Sequence, residues 1–411
     1  MGFLIMWRFG FFFHEMAFGL LSVFIPLYVV SFQDATIIGG PLVALGIMSS
    51  AAIFCTIPAS FFWGYICDKT RQYKRFILIS FLSSAIILFL FTLSFAQNIV
   101  IFILLYVLMQ VLHAAHEPPK NVLIAEHYTR DEWEHSFALY EGLTEIGFII
   151  GLIIGLVAFS LSLSFNIIAN YTLYLCSGLS LIAFILSVFL VADPIIIFER
   201  RLVSIEKKVS FAYDGVKALN RIWGGSSVDT HIKRDRFSTF ALAIILFSLA
   251  TSIFFTPLPI VLSHGLGLPT NMVYVAYILN SIGATLGYFF VGKRARDMDA
   301  RKQMGRCVFF RSMLIFLLAG VVHYAIFTSL TIGLILVSLG FVYSLYFIFM
   351  LSLSMELIPA GKTGLFDVLV GLGAGFGSFI GPYLVDTMMF MPTFLVAALL
   401  FFIAFLVLKI F

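Results

Sequence analysis

Long apolar stretches, separated by short polar breaks, follow one another along almost the entire chain. A helix needs about 20 mainly apolar residues to cross the hydrocarbon core of a bilayer. The stretches therefore predict twelve transmembrane helices, and we expect an all-α integral membrane protein. The predicted spans are residues 7–31, 38–64, 76–96, 99–124, 134–160, 167–192, 237–262, 271–292, 307–328, 330–357, 364–388 and 391–410.

Composition agrees with a protein whose main solvent is lipid. Hydrophobic residues make up 61% of the chain and charged residues 11%, whereas about 25% of residues are charged in soluble domains. The first apolar stretch has no small-residue cleavage site, so we interpret it as a retained span rather than a signal peptide. The four cysteines are widely separated, which favours neither a disulfide framework nor a structural zinc site.

Basic residues mark alternate polar breaks, and the breaks between them contain almost none. By the positive-inside rule the basic loops are cytosolic, and an even number of spans then places both termini in the cytosol. We expect a multi-pass protein of the plasma membrane. The basic segments are Lys69–Arg75, Arg130, Arg200–Arg236, Lys293–Arg306 and Lys362.

One long polar segment divides the spans into two groups of six. We predict an N-terminal bundle at residues 1–195, a cytosolic linker at 196–236 and a C-terminal bundle at 237–411. Within the linker, residues 199–222 form either a surface amphipathic helix or a plain tether. The halves also share features, since Glu126, Gly147 and Gly151 recur at the same spacing as Glu356, Gly377 and Gly381. Parallel repeats of six helices are typical of one large class of carriers.

The loop after the second span reads GYICDKTRQYKR from Gly64 to Arg75. It resembles the loop signature of the major facilitator superfamily, with Arg71 or Gln72 where an inner glycine is usual. The resemblance implies two pseudo-symmetric six-helix bundles and a conformational latch that stabilises the outward-facing state. The latch residues would be Gly64, Asp68, Lys69, Arg71 and Arg75; alternatively, these charges only set the topology.

Two spans carry small residues at every fourth position, which permits close helix packing in lipid. These residues are Gly147, Gly151 and Gly155 in the fifth span and Gly373, Gly377, Gly381 and Pro382 in the eleventh. The fifth-span motif is similar to that of family exporters, although Leu152 replaces their proline. Export and uptake therefore both remain open.

Ionisable groups at membrane depth cost about 2.5–3.5 kcal/mol each on insertion scales, so each needs a reason to persist. They cluster in spans one, four and five, which border the central cavity in the family that the chain resembles. We predict that these residues contain the proton-coupling and solute-binding set: Glu15, Tyr106, Gln110, His113, His116, Glu117, Glu141 and Glu145.

Simpler interpretations compete for several of these side chains. Glu141 and Lys120 could be interfacial charges that reach toward water. His113 could be a packed histidine, and His14 could face lipid headgroups or another helix. His113, His116 and Glu117 share a helix face, but a metal site needs a further ligand that the sequence does not identify. We therefore expect no metal and no cofactor.

The second half offers aromatic and amide side chains rather than acids. Asn280, Tyr343 and Tyr346 are candidate cavity residues, and ring faces suit an apolar or cationic organic solute, although packing alone also explains them. Arg311 and Asp386 lie near the ends of predicted spans, which indicates structural or interfacial roles.

Together these features favour a secondary active transporter that moves a small organic solute by alternating access. We expect proton coupling, with export of drugs or metabolites as the first expectation and uptake of a sugar, organic acid or amino-acid derivative as the alternative. A non-transporting sensor is a third hypothesis. The expected partners are the solute, protons and the bilayer, with no nucleic acid and with a functional monomer. No nucleophile or nucleotide motif indicates an enzyme.

Overall fold

A computed structural model describes residues 6–127, 133–161, 164–193, 228–294, 299–324, 329–357 and 364–410. Twelve helices in these ranges are long and apolar enough to cross a membrane, and no β-strand occurs within them. The predicted all-α class and the number of spans are confirmed. We number the spanning helices α1 to α12.

The helices begin and end close to the polar breaks. Their bounds are α1 Arg8–Val30, α2 Pro41–Thr70, α3 Tyr73–Leu90, α4 Ile99–His113 with a second segment Glu117–His127, α5 Trp133–Ser160, α6 Phe165–Leu190, α7 Val228–Phe255, α8 Thr270–Arg294, α9 Ala300–Tyr324, α10 Ser329–Leu357, α11 Gly364–Met388 and α12 Phe390–Ile410. Short helical turns at Leu258–Ile260 and Val261–Gly265 follow α7.

The central segment differs from the expectation at its C-terminal end. Helix α7 begins at Val228, so the last part of the predicted linker 196–236 is helical. The remainder of the linker, including residues 199–222, lies outside the described residues. The limits of the two bundles stay a prediction.

Helix α9 begins seven residues before the predicted span, at Ala300 rather than at residue 307. Asp299 explains this start, because its Oδ1 accepts hydrogen bonds from the backbone N–H groups of Arg301 at 3.1 Å and Lys302 at 3.4 Å. An aspartate at this position satisfies otherwise unpaired donors of the first turn. The early start places Arg311 in the middle of α9, so its predicted position near a span end is wrong.

Helix packing repeats between the two halves. In the first half α1 packs on α5 and α6, α3 packs on α4 and α6, and α2 packs on α4. In the second half α7 packs on α11 and α12, α9 packs on α10 and α12, and α8 packs on α10. Each pair in one half thus has its counterpart six helices later, which confirms the pseudo-symmetric architecture.

Two helix pairs form most of the contact between the halves in the described part of the chain, α2 with α11 and α5 with α8. The six-helix shift converts each of these pairs into the other. Residues that lie where α1, α4, α5 and α8 approach one another are therefore close to the boundary between the bundles. This region contains most of the predicted polar set.

The glycines of α5 and α11 allow backbone contact at equivalent places. A Cβ atom at Gly147 would lie 2.6 Å from the carbonyl oxygen of Phe12 in α1, and one at Gly381 would lie 2.6 Å from that of Ile253 in α7. Gly151 faces the Met16 carbonyl in the same way. Two residues complete these faces against α7: Gly373 and Gly377.

The remaining members of the glycine faces lie in different surroundings. Gly155 packs against the ring of Tyr274 in α8 rather than against α1. Pro382 lies inside α11, one residue after Gly381.

Candidate functional site

Helix α4 is interrupted at membrane depth by a 3-10 turn at Ala114–His116. Pro118 and Pro119 follow in the first turn of the next segment, Glu117–His127, where a missing N–H and a fixed φ are tolerated. Side chains three residues apart eclipse one another in a 3-10 turn. The rings of His113 and His116 accordingly lie with centroids 4.5 Å apart.

A third histidine joins this pair from α1. His14 is fully buried, and its Nε2 lies 3.0 Å from Nδ1 of His113. Phe18 stacks on His113 at 4.3 Å, and Phe81 lies 4.3 Å from His14. The three imidazoles therefore form one cluster, enclosed by aromatic rings.

The hydrogen bonds of His116 determine which of its nitrogens carries a proton. Nδ1 of His116 lies 2.6 Å from the carbonyl oxygen of His113 and 3.1 Å from Oγ of Ser80. Ser80 donates its own hydroxyl proton to the same carbonyl at 2.9 Å. Because a carbonyl oxygen only accepts, Nδ1 of His116 is the donor. Its Nε2 then faces Oε1 of Glu117 at 3.3 Å.

Lys120 connects the carboxylates of α4 and α5. Its Nζ lies 2.6 Å from Oε2 of Glu117 and 3.9 Å from Oε1 of Glu141. Glu15 of α1 lies within electrostatic range of Lys120 and both of these acids, and also of Glu145. One ammonium group is thus shared among several carboxylates. The acids of α1, α4 and α5 lie together, as the polar stripes indicated.

Water reaches part of this group. The side chain of Glu117 is 45% exposed and that of Glu141 is 22% exposed, while Lys120 is only 12% exposed. Glu117 lies in the third of α4 nearest the loop Lys69–Arg75, and we call that end of the bundles the basic end. The exposed part of this group therefore lies nearer the basic end.

Glu145 connects the two bundles. Its carboxylate is hydrogen-bonded to the hydroxyl of Ser281 in α8, and Ser281 is buried. Next to Ser281, the side-chain oxygen of Asn280 is buried and has no hydrogen-bond partner within the described residues. Tyr343 of α10 lies within electrostatic range of Glu141 and Glu145. Polar groups of both halves therefore meet at the depth of Glu145 in the membrane.

Arg311 occupies the interior of the second bundle and is fully buried. Its guanidinium carbon lies 4.9 Å from the ring centroid of Tyr343 and 5.3 Å from those of Phe247 and Phe401. Nη1 donates a long bond of 3.4 Å to the Leu339 carbonyl. Nε and Nη2 have no hydrogen-bond partner in the described part of the chain. Contact with ring faces stabilises this cation, so an interfacial role is wrong.

The other predicted solute residues lie in two places. Tyr106 and Gln110 lie near each other, four residues apart on α4. Tyr346 is 1% exposed, and its ring stacks on Phe247 at a centroid distance of 3.5 Å. In this conformation Tyr346 packs inside the bundle and does not face the space beside Glu117.

The family model of the Major Facilitator Superfamily matches residues 9–366. This chain belongs to that superfamily. It is therefore a multi-pass membrane transporter of small solutes and not an enzyme. A search of proteins of curated function gives no match.

Solved structures of superfamily transporters share the fold at low sequence identity. The nucleoside transporter NupG is 13% identical with a TM-score of 0.68, covering 100% of this chain and 99% of that one. The human organic anion transporter MFSD10 is 15% identical with a TM-score of 0.65, covering 98% of each chain. The xylose transporter XylE from E. coli, in a partially occluded inward open conformation, is 13% identical with a TM-score of 0.70, covering 100% and 96%.

The superfamily loop has a well-defined backbone here. Arg71 ends α2 with φ 57°, in the left-handed region, and its N–H donates to the Cys67 carbonyl at 2.8 Å. Glycine is the usual residue at such a helix end, which gives a physical reason for the glycine common in this motif. Arg75 donates to Oε1 of Gln72 at 3.2 Å, and Lys69 lies over the ring of Tyr65 at 5.8 Å.

Other contacts join this loop to the rest of the superfamily fold. Gly64 of α2 lies opposite Pro118 of α4, but a Cβ atom at Gly64 would be 4.0 Å from Cγ of Pro118, an ordinary contact distance, so this approach does not require glycine. The backbone N–H of Lys74 donates to Oδ1 of Asp193 at 2.7 Å, beyond the end of α6. Asp68 lies in the last turn of α2, and its role as a latch stays a prediction.

The predicted set left out three side chains that complete the site. His14 is weighed among the alternative interpretations but stays outside the predicted set. Ser281 directly follows the candidate Asn280 without being included, and Ser80 gives no signal, because serines are common in transmembrane helices. The sequence predicts that Asn280 and Glu145 lie at membrane depth, but it does not show which helices face each other there. Only the packing of α8 on α5 identifies Ser281.

Proposed function

We propose that this chain is a proton-coupled secondary transporter, with Glu145 as the principal proton carrier and Glu141 as its neighbour in the same charge network. The observation that carries the proposal is the Glu145–Ser281 hydrogen bond between α5 and α8. Alternating access requires the two bundles to move against each other, so this contact must change during each cycle. A proton at Glu145 alters that contact directly.

The physical basis is the cost of a bare carboxylate in a closed, apolar interface. Such a carboxylate costs less when it binds a proton or receives hydrogen bonds. When the bundles separate, water solvates the carboxylate and removes that requirement. Proton binding and release at Glu145 therefore bias the bundles toward different arrangements, which is the definition of coupling in a two-state carrier.

The proposed solute is a small organic molecule that lies between the bundles. Tyr343 and Asn280 of the second bundle, with Tyr106 and Gln110 of the first, offer ring faces, a hydroxyl and amide groups. The face of Tyr343 toward α9 is already occupied by Arg311, so a cationic solute would compete there with a fixed positive charge. This favours a neutral solute, such as the nucleoside or sugar that the NupG and XylE descriptions name.

A second candidate is an organic anion, and Arg311 favours it. Two nitrogens of this guanidinium have no hydrogen-bond partner among the described residues, and guanidinium groups pair with carboxylates in a two-pronged geometry. The description of MFSD10 as an organic anion transporter fits this class. Movement of Tyr343 would be required to expose Arg311.

The expected membrane is the plasma membrane, with both termini cytosolic and the monomer as the working unit. Residues of the loop at the end of α2, including Asp68 and Arg75, are proposed to stabilise the outward-facing state. The direction of transport is proposed as export, from the glycine face of α5, with uptake as the alternative. Solute flux measured with a pH gradient of each sign distinguishes export from uptake.

The test is solute flux in proteoliposomes that contain the purified chain. A labelled panel of nucleosides, sugars, organic anions and lipophilic cations is assayed with a pH gradient of each sign. We expect gradient-driven accumulation of one class, and Glu145→Gln should abolish accumulation while leaving exchange of solute down its own gradient. Asp386→Asn is the control, because Asp386 is an exposed acid of α11. If Glu145→Gln accumulates solute as the unmodified chain does, Glu145 is not the proton carrier.

A further inference from the structure

The three histidines lie at the spacing of metal ligands. His14, His113 and His116 each offer one nitrogen, and these nitrogens all lie within 4.8 Å of one another. The closest pair, Nε2 of His14 and Nδ1 of His113, is 3.0 Å apart. Zinc–nitrogen bonds of about 2.0–2.1 Å in a tetrahedron place two ligand nitrogens about 3.4 Å apart. Small side-chain movements would bring all three nitrogens to that separation.

The fixed proton of His116 leaves its other nitrogen available. Because Nδ1 donates to the His113 carbonyl and lies beside Ser80, Nε2 presents a lone pair when the ring is neutral. A histidine that binds a metal usually donates its second N–H to a carbonyl or carboxylate in this way, which fixes the ring orientation. Ser80 and the 3-10 turn thus hold His116 as a ligand would be held.

A carboxylate completes the set. Oε1 of Glu117 lies 3.3 Å from Nε2 of His116, which is again close to the separation of two ligands on one ion. Either a proton on Nε2 or a shared cation holds this nitrogen and the carboxylate together at such a distance. The second oxygen of Glu117 accepts from Lys120 at 2.6 Å, as the free oxygen of a metal-bound carboxylate commonly does.

The contacts of His14 satisfy only one of its two ring nitrogens. It is completely buried, and its Nδ1 has no hydrogen-bond partner in the described part of the chain. An N–H···N bond to His113 would satisfy one nitrogen of each ring, but it would leave Nε2 of His116 facing Glu117. A shared cation serves all three rings and the carboxylate at once.

We propose that His14, His113, His116 and Glu117 bind one divalent transition-metal ion of the zinc class. Three imidazoles with one carboxylate suit zinc, cobalt, nickel or copper rather than magnesium or calcium, which prefer oxygen ligands. The ion enters past Glu117, which is 45% exposed, into the aromatic shell around the histidines. It connects α1 to both segments of α4 inside the first bundle.

The proposed site departs from the sequence-based expectation of no metal, which stays a prediction. The α4 pattern provided His113, His116 and Glu117 but no ligand from another helix, and the fold supplies His14 of α1. The proposal does not depend on proton coupling at Glu145, which lies on α5 and contacts the second bundle. A resident ion would stabilise the first bundle whether or not solute is present.

The test uses the full-length chain in detergent after treatment with a chelator. We expect one equivalent of Co²⁺ to produce the visible absorption bands of a tetrahedral site, one equivalent of Zn²⁺ to abolish them, and Zn²⁺ to raise the melting temperature. His14→Ala and His116→Ala should lose the bands. His264→Ala should keep them, because His264 is an exposed histidine outside the cluster.

Two further measurements keep the result decisive. Size-exclusion chromatography establishes that each variant is folded, and if His14→Ala is not, His113→Gln replaces it. Ser80→Ala should weaken Co²⁺ binding by about 10–100-fold, because it removes a partner that positions His116 rather than a ligand. Absence of the bands in the folded, unmodified chain overturns the proposal. Bands that persist in folded His14→Ala overturn it as well, because the ion then lies elsewhere.

Discussion

The hydroxyl of Tyr274 in α8 donates a hydrogen bond of 3.1 Å to the backbone carbonyl of Leu20 in α1, and both residues are buried. This bond joins the two bundles in the half of the membrane away from the basic end. Asn271 and Ser160 add a second link there, with Nδ2 and Oγ 3.4 Å apart. Both contacts hold the bundles together at the end opposite the basic end, whereas the exposed Glu117 lies nearer the basic end.

Tyr274→Phe should increase opening of the end opposite the basic end. It removes one hydrogen bond of the closed arrangement, worth about 1 kcal/mol, so the fraction of open molecules should rise about fivefold. Spin labels at Leu161 and Met272, both exposed, would report the α5–α8 distance in a background without the native cysteines. Tyr383→Phe, at an exposed tyrosine, is the control. An unchanged distance distribution would show that this bond does not hold the end closed.

Gly151→Ala should destabilise the chain. A Cβ atom there would collide with the backbone of α1 at Met16 and Leu20, which cannot move as a flexible side chain can. Overpacking of this kind costs about 1–3 kcal/mol. Gly178→Ala is the matched control on α6, because nothing lies within 4 Å of a Cβ atom at Gly178. Unfolding in denaturant, followed by circular dichroism, measures both, and equal effects would contradict the close packing of α5 on α1.

Phe247→Leu should weaken the second bundle. The ring of Phe247 stacks on Tyr346 and lies 5.3 Å from the Arg311 guanidinium. Replacing the ring by leucine removes its contacts with Tyr346 and the ring face that lies against the Arg311 guanidinium. We expect the free energy of unfolding to fall by about 1–3 kcal/mol. Phe316→Leu on α9 is the control, since Phe316 is 60% exposed, and should change stability by less than about 0.5 kcal/mol.

Asp299 gives a pH dependence that can be assigned to one residue. Hydrogen bonds from the backbone N–H groups of Lys302 and Arg301, with the nearby Lys302 ammonium, hold the pKa of Asp299 below its ordinary value. A lowered pKa in the folded state means that the stabilisation is present above the ordinary pKa and is lost as pH falls through the folded value. Asp299→Ala should therefore melt at a lower temperature than the unmodified chain at pH 7.

The difference in melting temperature should shrink as pH falls below about 4, near the ordinary pKa of aspartate, since the unmodified chain then loses the same charge. A difference that is constant from pH 7 to pH 3 would mean that the carboxylate does not stabilise the start of α9.

Hydropathy was sufficient to predict twelve spans because each helix must bury about 20 residues in lipid, whatever its neighbours are. The error at α9 has a local cause: Arg301, Lys302 and Arg306 indicated a loop, yet Asp299 begins a helix that contains all three. The charge pattern of α4 similarly located His113, His116 and Glu117 on one face. Periodicity describes one helix at a time, so it could place residues on faces correctly.

Contacts between helices were beyond the sequence. The rotation and tilt of each helix depend on the packing of its neighbours, and one sequence does not specify them. His14 could have faced lipid as well as His113, and Ser281 could have faced any of three helices. Arg311 among aromatic rings required α7, α10 and α12 to be placed around α9.

The pseudo-symmetry that relates the halves exchanges the two main contacts between the bundles, α2–α11 and α5–α8, which we call seams. When one bundle tilts against the other, the helices on the two sides of each seam must therefore slide past each other, and both seams change at the same time. A covalent tie across Phe54 and Phe376, whose rings meet at 5.1 Å in the first seam, would consequently arrest motion at Glu145 and Ser281 in the second. The transporter can therefore be stopped at the seam that contains none of the acids Glu15, Glu117, Glu141 and Glu145.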